Sequence, residues 1–168
     1  MFEVGNYVVY GTTGVCQICE IAPLPFGQEG LYYTLRIVHD SQNNFIYAPV
    51  ASVVTGKVFL RDMISPAQAE NFLQFLPSEP LFWIPDLRKR NENYTLLAAS
   101  GDPCNWARLL VCLYTKQKEK QEEQRTLPRR DHELLALSEK LLYGELATVL
   151  DRSIEDIKQQ FLRLLEHI

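Results

Sequence analysis

Two short stretches hold residue types that could do chemistry. "LFWIPDLRKR" (Leu81 to Arg90) sets Trp83 beside the cationic triplet Arg88, Lys89 and Arg90, with a proline between. An indole next to such a run can stack on an unpaired nucleic acid base while the cations hold phosphate. It can equally be a core side chain beside a solvated helix face. The second stretch is Cys16-Gln-Ile-Cys19. This CxxC would suit zinc if a second close pair existed, but Cys104 and Cys112 lie eight apart. A redox pair would want a helix N-terminus to lower a thiol pKa. The flanks "GVCQICEI" read as a strand, which sends the two side chains to opposite faces. Buried, inert thiols are the expectation for all four cysteines. No metal site is expected.

Other catalytic patterns do not assemble. His39, His132 and His167 stand at no metal-ligand spacing from one another, and no GxSxG, HExxH or Gly-rich phosphate loop occurs. The expectation is a non-enzyme without cofactor or small-molecule substrate.

The elements that must position these residues change character along the chain. Up to residue 64 the pattern is β. "NYVVY", "VCQICEI", "LYYTLRIV", "FIYAPV" and "KVFLRDMI" are short runs rich in β-branched and aromatic residues. "GTTG", "APLPFGQEG", "HDSQNN" and "ASVVTG" separate them as turns. Five strands with no room for crossover helices suggest a small antiparallel barrel of the Tudor or SH3 kind. From Ser65 the period becomes helical. Ser65-Pro66-Ala67-Gln68 is a capping box with proline at the first helical position. Pro85 can open a second helix that Gly101 ends, and Asp102-Pro103 starts a third. "HELLALSEKLLYGELATVL" is a fourth, and Ser153 caps a fifth. The expected class is α+β: a barrel over residues 1–64, then a bundle of about five helices over 65–168.

The 168 residues carry a net charge of −4, unevenly spread. Residues 1–64 hold three Lys/Arg against five Asp/Glu, and residues 83–130 hold ten against six. A local basic segment can bind phosphate within an acidic protein, because screening limits the range of charge to about 10 Å. No apolar run reaches the roughly 20 residues of a membrane span, and "MFEVGNYVVY" lacks the pattern of a signal peptide. A cytoplasmic location is expected.

"VGNYVVYGTTGVCQI", "LYYTL", "FIYAPV" and "VFLRDMIS" resemble, in order and spacing, the N-terminal module of the CarD/CdnL family. That module also occurs in the transcription-repair coupling factor. The tryptophan, basic helix, "SGD" and "LLYGELA" of the second half are similar to the family's helical domain. The resemblance implies a bacterial transcription regulator whose Tudor-like module adds a sheet edge to the RNA polymerase β subunit. Tyr33, Leu35, Arg36, Ile46 and Tyr47 would make that contact. The helical domain would touch promoter DNA near the −10 element without reading sequence, through Trp83, Arg88, Lys89, Arg90, Lys116 and Lys118. A tryptophan wedge would stabilise the open complex. A nucleoid-associated monomer is implied, though an unpaired barrel edge could join two copies.

This sequence departs from the family pattern. Counting back from Ser100-Gly101-Asp102, the family's tryptophan falls at Leu87, one helical turn beyond Trp83. Either residue could be the wedge, or Trp83 could pack between barrel and bundle. Where better-known members carry an arginine before the end of the fourth strand, this chain has Tyr47. Tyr32, Tyr33 and Tyr47 could instead alternate into the barrel interior. Trp106, at helical spacing from Leu109, Leu110 and Leu113, reads as core. Two other readings compete: a protein-binding barrel with a structural helical extension and no DNA contact, and a thiol oxidoreductase on Cys16 and Cys19.

Overall fold

A computed structural model describes residues 1–27 and 29–167. The chain divides into two compact units, Met1–Met63 and Ile64–Ile168. Ile64 falls with the helices because its N–H donates to the buried Glu145 carboxylate at 3.0 Å.

The first unit is one antiparallel sheet. Its strands are β1 (Tyr7–Tyr10), β2 (Gly14–Pro23), β3 (Leu31–Ile37), β4 (Phe45–Pro49) and β5 (Leu60–Asp62), in the order β4-β3-β2-β1-β5. The β1–β2 turn places Gly11 and Gly14 at positive φ, which suits glycine. Among the described residues β4 and β5 are the two edges, and no ladder between them closes the sheet. The five strands stand where the β-branched runs put them. "ASVVTG" does not: it was expected as a turn, and Val50–Val54 forms a short helix, α1. Pro49 supplies the extended backbone at its start, and Val50 and Val53 lie over the sheet core.

Period-2 alternation splits the sheet into two faces. The core face holds Val8, Cys16, Ile18, Tyr33, Leu35 and Ala48, all fully buried. The registers Ile18↔Leu35↔Ile46 and Ile21↔Tyr33↔Ala48 run across it. The outer face carries the rows Tyr7↔Gln17↔Arg36↔Phe45 and Glu20↔Thr34↔Tyr47.

Among the described residues the second unit holds five helices: α2 (Pro66–Gln74), α3 (Leu87–Ala99), α4 (Pro103–Glu122), α5 (Arg129–Leu150) and α6 (Ile154–Glu166). Their ends follow from side chains that satisfy orphan N–H groups. Ser65 and Gln68 form the reciprocal capping box. Asp86, Asp102 and Ser153 accept from the first turns of α3, α4 and α6. Trp106, Leu109, Leu110 and Leu113 of α4 pack into the core with Leu141, Leu142 and Leu146 of α5, and Ile157 and Phe161 of α6. Trp106 is fully buried, and its indole N–H donates to the Ala98 carbonyl at 3.0 Å. Between α2 and α3, Pro77, Pro80 and Pro85 keep the chain out of regular structure. That stretch contains Trp83.

Candidate functional site

The edge of β4 is the first candidate surface. The Ile37 N–H donates to the Asn44 carbonyl at 3.1 Å. By the alternation of an antiparallel ladder, Leu35/Ile46 and Tyr33/Ala48 are then the pairs that exchange hydrogen bonds. Phe45 and Tyr47 therefore direct their N–H and C=O groups away from β3, along the open edge. Pro49 has no N–H and closes it. The opposite edge, β5, has only three residues, a length that discourages pairing.

The five residues expected to dock on the polymerase divide between the two faces. Arg36 and Tyr47 lie on the outer face, and Tyr47 is 43% exposed. Tyr33 and Leu35 have no exposed surface, so the expectation that their side chains make contact is corrected: they are core. Ile46 is partly buried against the same core. Of the three tyrosines weighed for the interior, Tyr33 turns inward and Tyr47 outward, with Tyr32 half-buried. The reading of β4 from its sequence missed its exposed neighbours Phe26 and Phe45, which are 62% and 50% exposed. Phe26 meets the Tyr47 ring edge-on at 5.9 Å. Strand alternation alone would have found Phe45, which shares the face of Tyr47.

The segment around Trp83 is the second candidate. α3 side chains hold its backbone at three carbonyls. The Tyr94 hydroxyl donates to Phe82 at 2.9 Å, and Arg90 Nη1 donates to Ile84 at 2.7 Å and Pro85 at 3.3 Å. The Tyr94 proton being spent on Phe82, the contact of Cys112 Sγ with its oxygen, 3.4 Å away, has the thiol as donor. Burial pushes the Tyr94 hydroxyl well above its ordinary pKa. Trp83 turns inward and is half-buried. Arg90 lies over its ring at 3.9 Å from the centroid, Lys116 at 5.3 Å, and Tyr94 meets it edge-on at 6.5 Å. These contacts all lie within the second unit. The side chain that turns outward is Phe82, 78% exposed. Leu87, at the first turn of α3, is 49% exposed.

The cationic triplet does not act as one group. Arg88 and Lys89 are exposed, and Arg88 pairs with Glu92 at 3.1 Å. Arg90 is 3% exposed and makes a two-pronged bond to the fully buried Asp131, at 3.0 and 2.8 Å. The bond to Asp131 raises the guanidinium pKa further. All three guanidinium nitrogens of Arg90 are thus engaged inside the protein, so its expected role as a phosphate anchor is corrected to an internal clamp. Lys116 and Lys118 also separate. Two residues apart on a helix are about 200° apart around it. Lys116 stands over Trp83 and pairs with Glu119. Lys118 lines a groove of roughly 500 Å³ beside Leu162, Leu165 and Glu166.

The cysteines correct a further expectation. Cys16 and Cys112 are buried, but Cys19 and Cys104 are exposed. Cys19 sits where the β2–β3 register shifts, and Cys104 in the first turn of α4. Cys16 and Cys19 lie on opposite sides of β2, which does not suit a dithiol couple.

The architecture is α+β, with an open aromatic sheet edge in one unit and a clamped aromatic segment in the other. Residues 2–61 match the family model of the CarD-like/TRCF RID domain. The match covers nearly the whole of the first unit, which is thus similar to CarD-like domains. No curated protein matches the chain.

Proposed function

We propose that this protein is a transcription regulator that binds RNA polymerase through its CarD-like unit and stabilises the promoter open complex through its helical unit. The family match over the first unit is the single observation that carries the polymerase half. The β4 edge, with two residues of outward backbone groups, suits strand addition to the polymerase β subunit. In this reading the sheet belongs to the Tudor-like class. The protein is a non-enzymatic monomer of the bacterial cytoplasm, associated with the nucleoid.

The DNA half rests on the clamped segment. Phe82 takes the role of the wedge, with Trp83 as its backing. An aromatic ring gains about 1–3 kcal/mol on an unpaired base and nothing comparable on closed duplex. Binding that favours melted DNA shifts melting toward the open state by that difference. Arg88, Lys89 and Lys116 supply phosphate contacts near the −10 element that position the protein without reading sequence.

A second reading is favoured by a specific observation: with Arg90 engaged and Lys118 on another face, few cations remain near Phe82. The chain would then be a polymerase-binding module without DNA contact. The lifetime of open complexes formed by the cognate polymerase, with and without the protein, separates the two. A longer lifetime that shortens steeply with salt supports DNA contact. An unchanged lifetime with intact polymerase binding leaves only the docking module.

A further inference from the structure

From the composition of the β4 edge we infer that the extended segment it receives carries an arginine or lysine, seated on the ring of Tyr47. The inference rests on the polymerase-binding reading and adds the chemistry of the partner. Three features of the outer face converge on it. Tyr47 and Phe26 form an exposed edge-to-face pair beside the outward N–H and C=O of Tyr47. An incoming strand that takes those backbone bonds brings one of its side chains beside Tyr47 on the same face. Aromatic faces attract cations through their quadrupole.

The second feature is charge. Glu20 is exposed and lies in the same lateral row as Tyr47, with Thr34 between. The whole unit holds three Lys/Arg against five Asp/Glu. The third feature is the placement of Arg36, the cation in the neighbouring row Gln17↔Arg36↔Phe45 of this face. Its Nη2 donates to Gln17 Oε1 at 2.8 Å. Gln17 is on β2, so the guanidinium is drawn away from β4 and does not oppose an arriving cation. An acidic partner would meet aromatic rings and a carboxylate instead. An apolar partner would gain area from Tyr47 but nothing from Glu20.

The test is the affinity of the full-length chain for its cognate RNA polymerase, measured across a salt titration for the wild type, Tyr47→Phe, Tyr47→Leu and Glu20→Lys. Tyr47 and Glu20 are both exposed, so all three variants are expected to fold, and circular dichroism checks that they do. Tyr47→Phe keeps the ring face and should bind within about twofold of the wild type. Tyr47→Leu keeps apolar area but loses the quadrupole, and should bind about three- to thirtyfold more weakly. Glu20→Lys should weaken binding at low salt and lose that effect at high salt. Equal binding by Tyr47→Leu and Tyr47→Phe, or tighter binding by Glu20→Lys, overturns the inference while polymerase binding stands. A wild type with no polymerase affinity overturns both. A dimer that depends on Tyr47, in place of polymerase binding, would assign the edge to a second copy and also overturn it.

Discussion

The β4 edge and the Trp83 segment both set aromatic rings near cations, yet they use them in opposite ways. At β4 the cation, Arg36, is turned back toward Gln17, and the rings of Tyr47 and Phe26 face outward. At Trp83 the cation, Arg90, is locked against the ring and against Asp131. One region leaves its aromatic surface and backbone groups open. The other uses its tryptophan as internal support and exposes the neighbouring phenylalanine. An aromatic next to a basic run is therefore no measure of a binding site until the partner of each cation is known.

The largest way to break this contrast is to remove the clamp. Arg90→Ala leaves the Asp131 carboxylate buried without its partner and should destabilise folding by about 3–5 kcal/mol. Chemical denaturation reads this directly. By comparison Arg88→Ala, on the exposed i,i+4 pair with Glu92, should cost less than about 0.5 kcal/mol. Equal costs would mean that the triplet is one surface group after all.

Trp83→Ala should destabilise by about 1–2 kcal/mol, through lost stacking on Arg90 and lost burial. Phe82→Ala should leave stability within about 0.5 kcal/mol of the wild type, as expected of a surface side chain. Thermal melts of the pair test whether backing and outward ring have separate roles.

The smallest effect concerns the thiols. Cys19 and Cys104 should be alkylated by iodoacetamide in the folded protein, and Cys16 and Cys112 only on unfolding. Partial desolvation, then Asp102, raises the Cys104 thiol although it remains accessible, so its thiolate fraction at neutral pH is reduced. Its alkylation rate should keep climbing above the ordinary thiol pKa. Mass spectrometry of the labelled peptides reads both.

How much the sequence disclosed varies with the range of the interactions. Helix starts were legible at Ser65, Asp102 and Ser153, which act on N–H groups two or three residues away, whereas α3, expected to open at Pro85, begins at Leu87 with Asp86 as its cap. Strands were legible from their β-branched runs, and Trp106 from helical spacing. The α1 helix was not, since Val50–Val54 is rich in β-branched residues and forms a helix where its valines cover the sheet. Arg90 could not be told from Arg88 and Lys89, because its partner Asp131 lies 41 residues on. Phe82 stood in plain view beside Trp83, but which of two adjacent aromatics turns outward was set by the carbonyl contacts from Tyr94 and Arg90.

The most direct test of the account is the lifetime of open promoter complexes formed by the cognate polymerase with wild-type protein and with Phe82→Ala. The wild type should lengthen the lifetime. Phe82→Ala, folded and still bound to polymerase, should lose most of that gain. A Phe82→Ala protein that lengthens the lifetime as fully as the wild type would contradict the account.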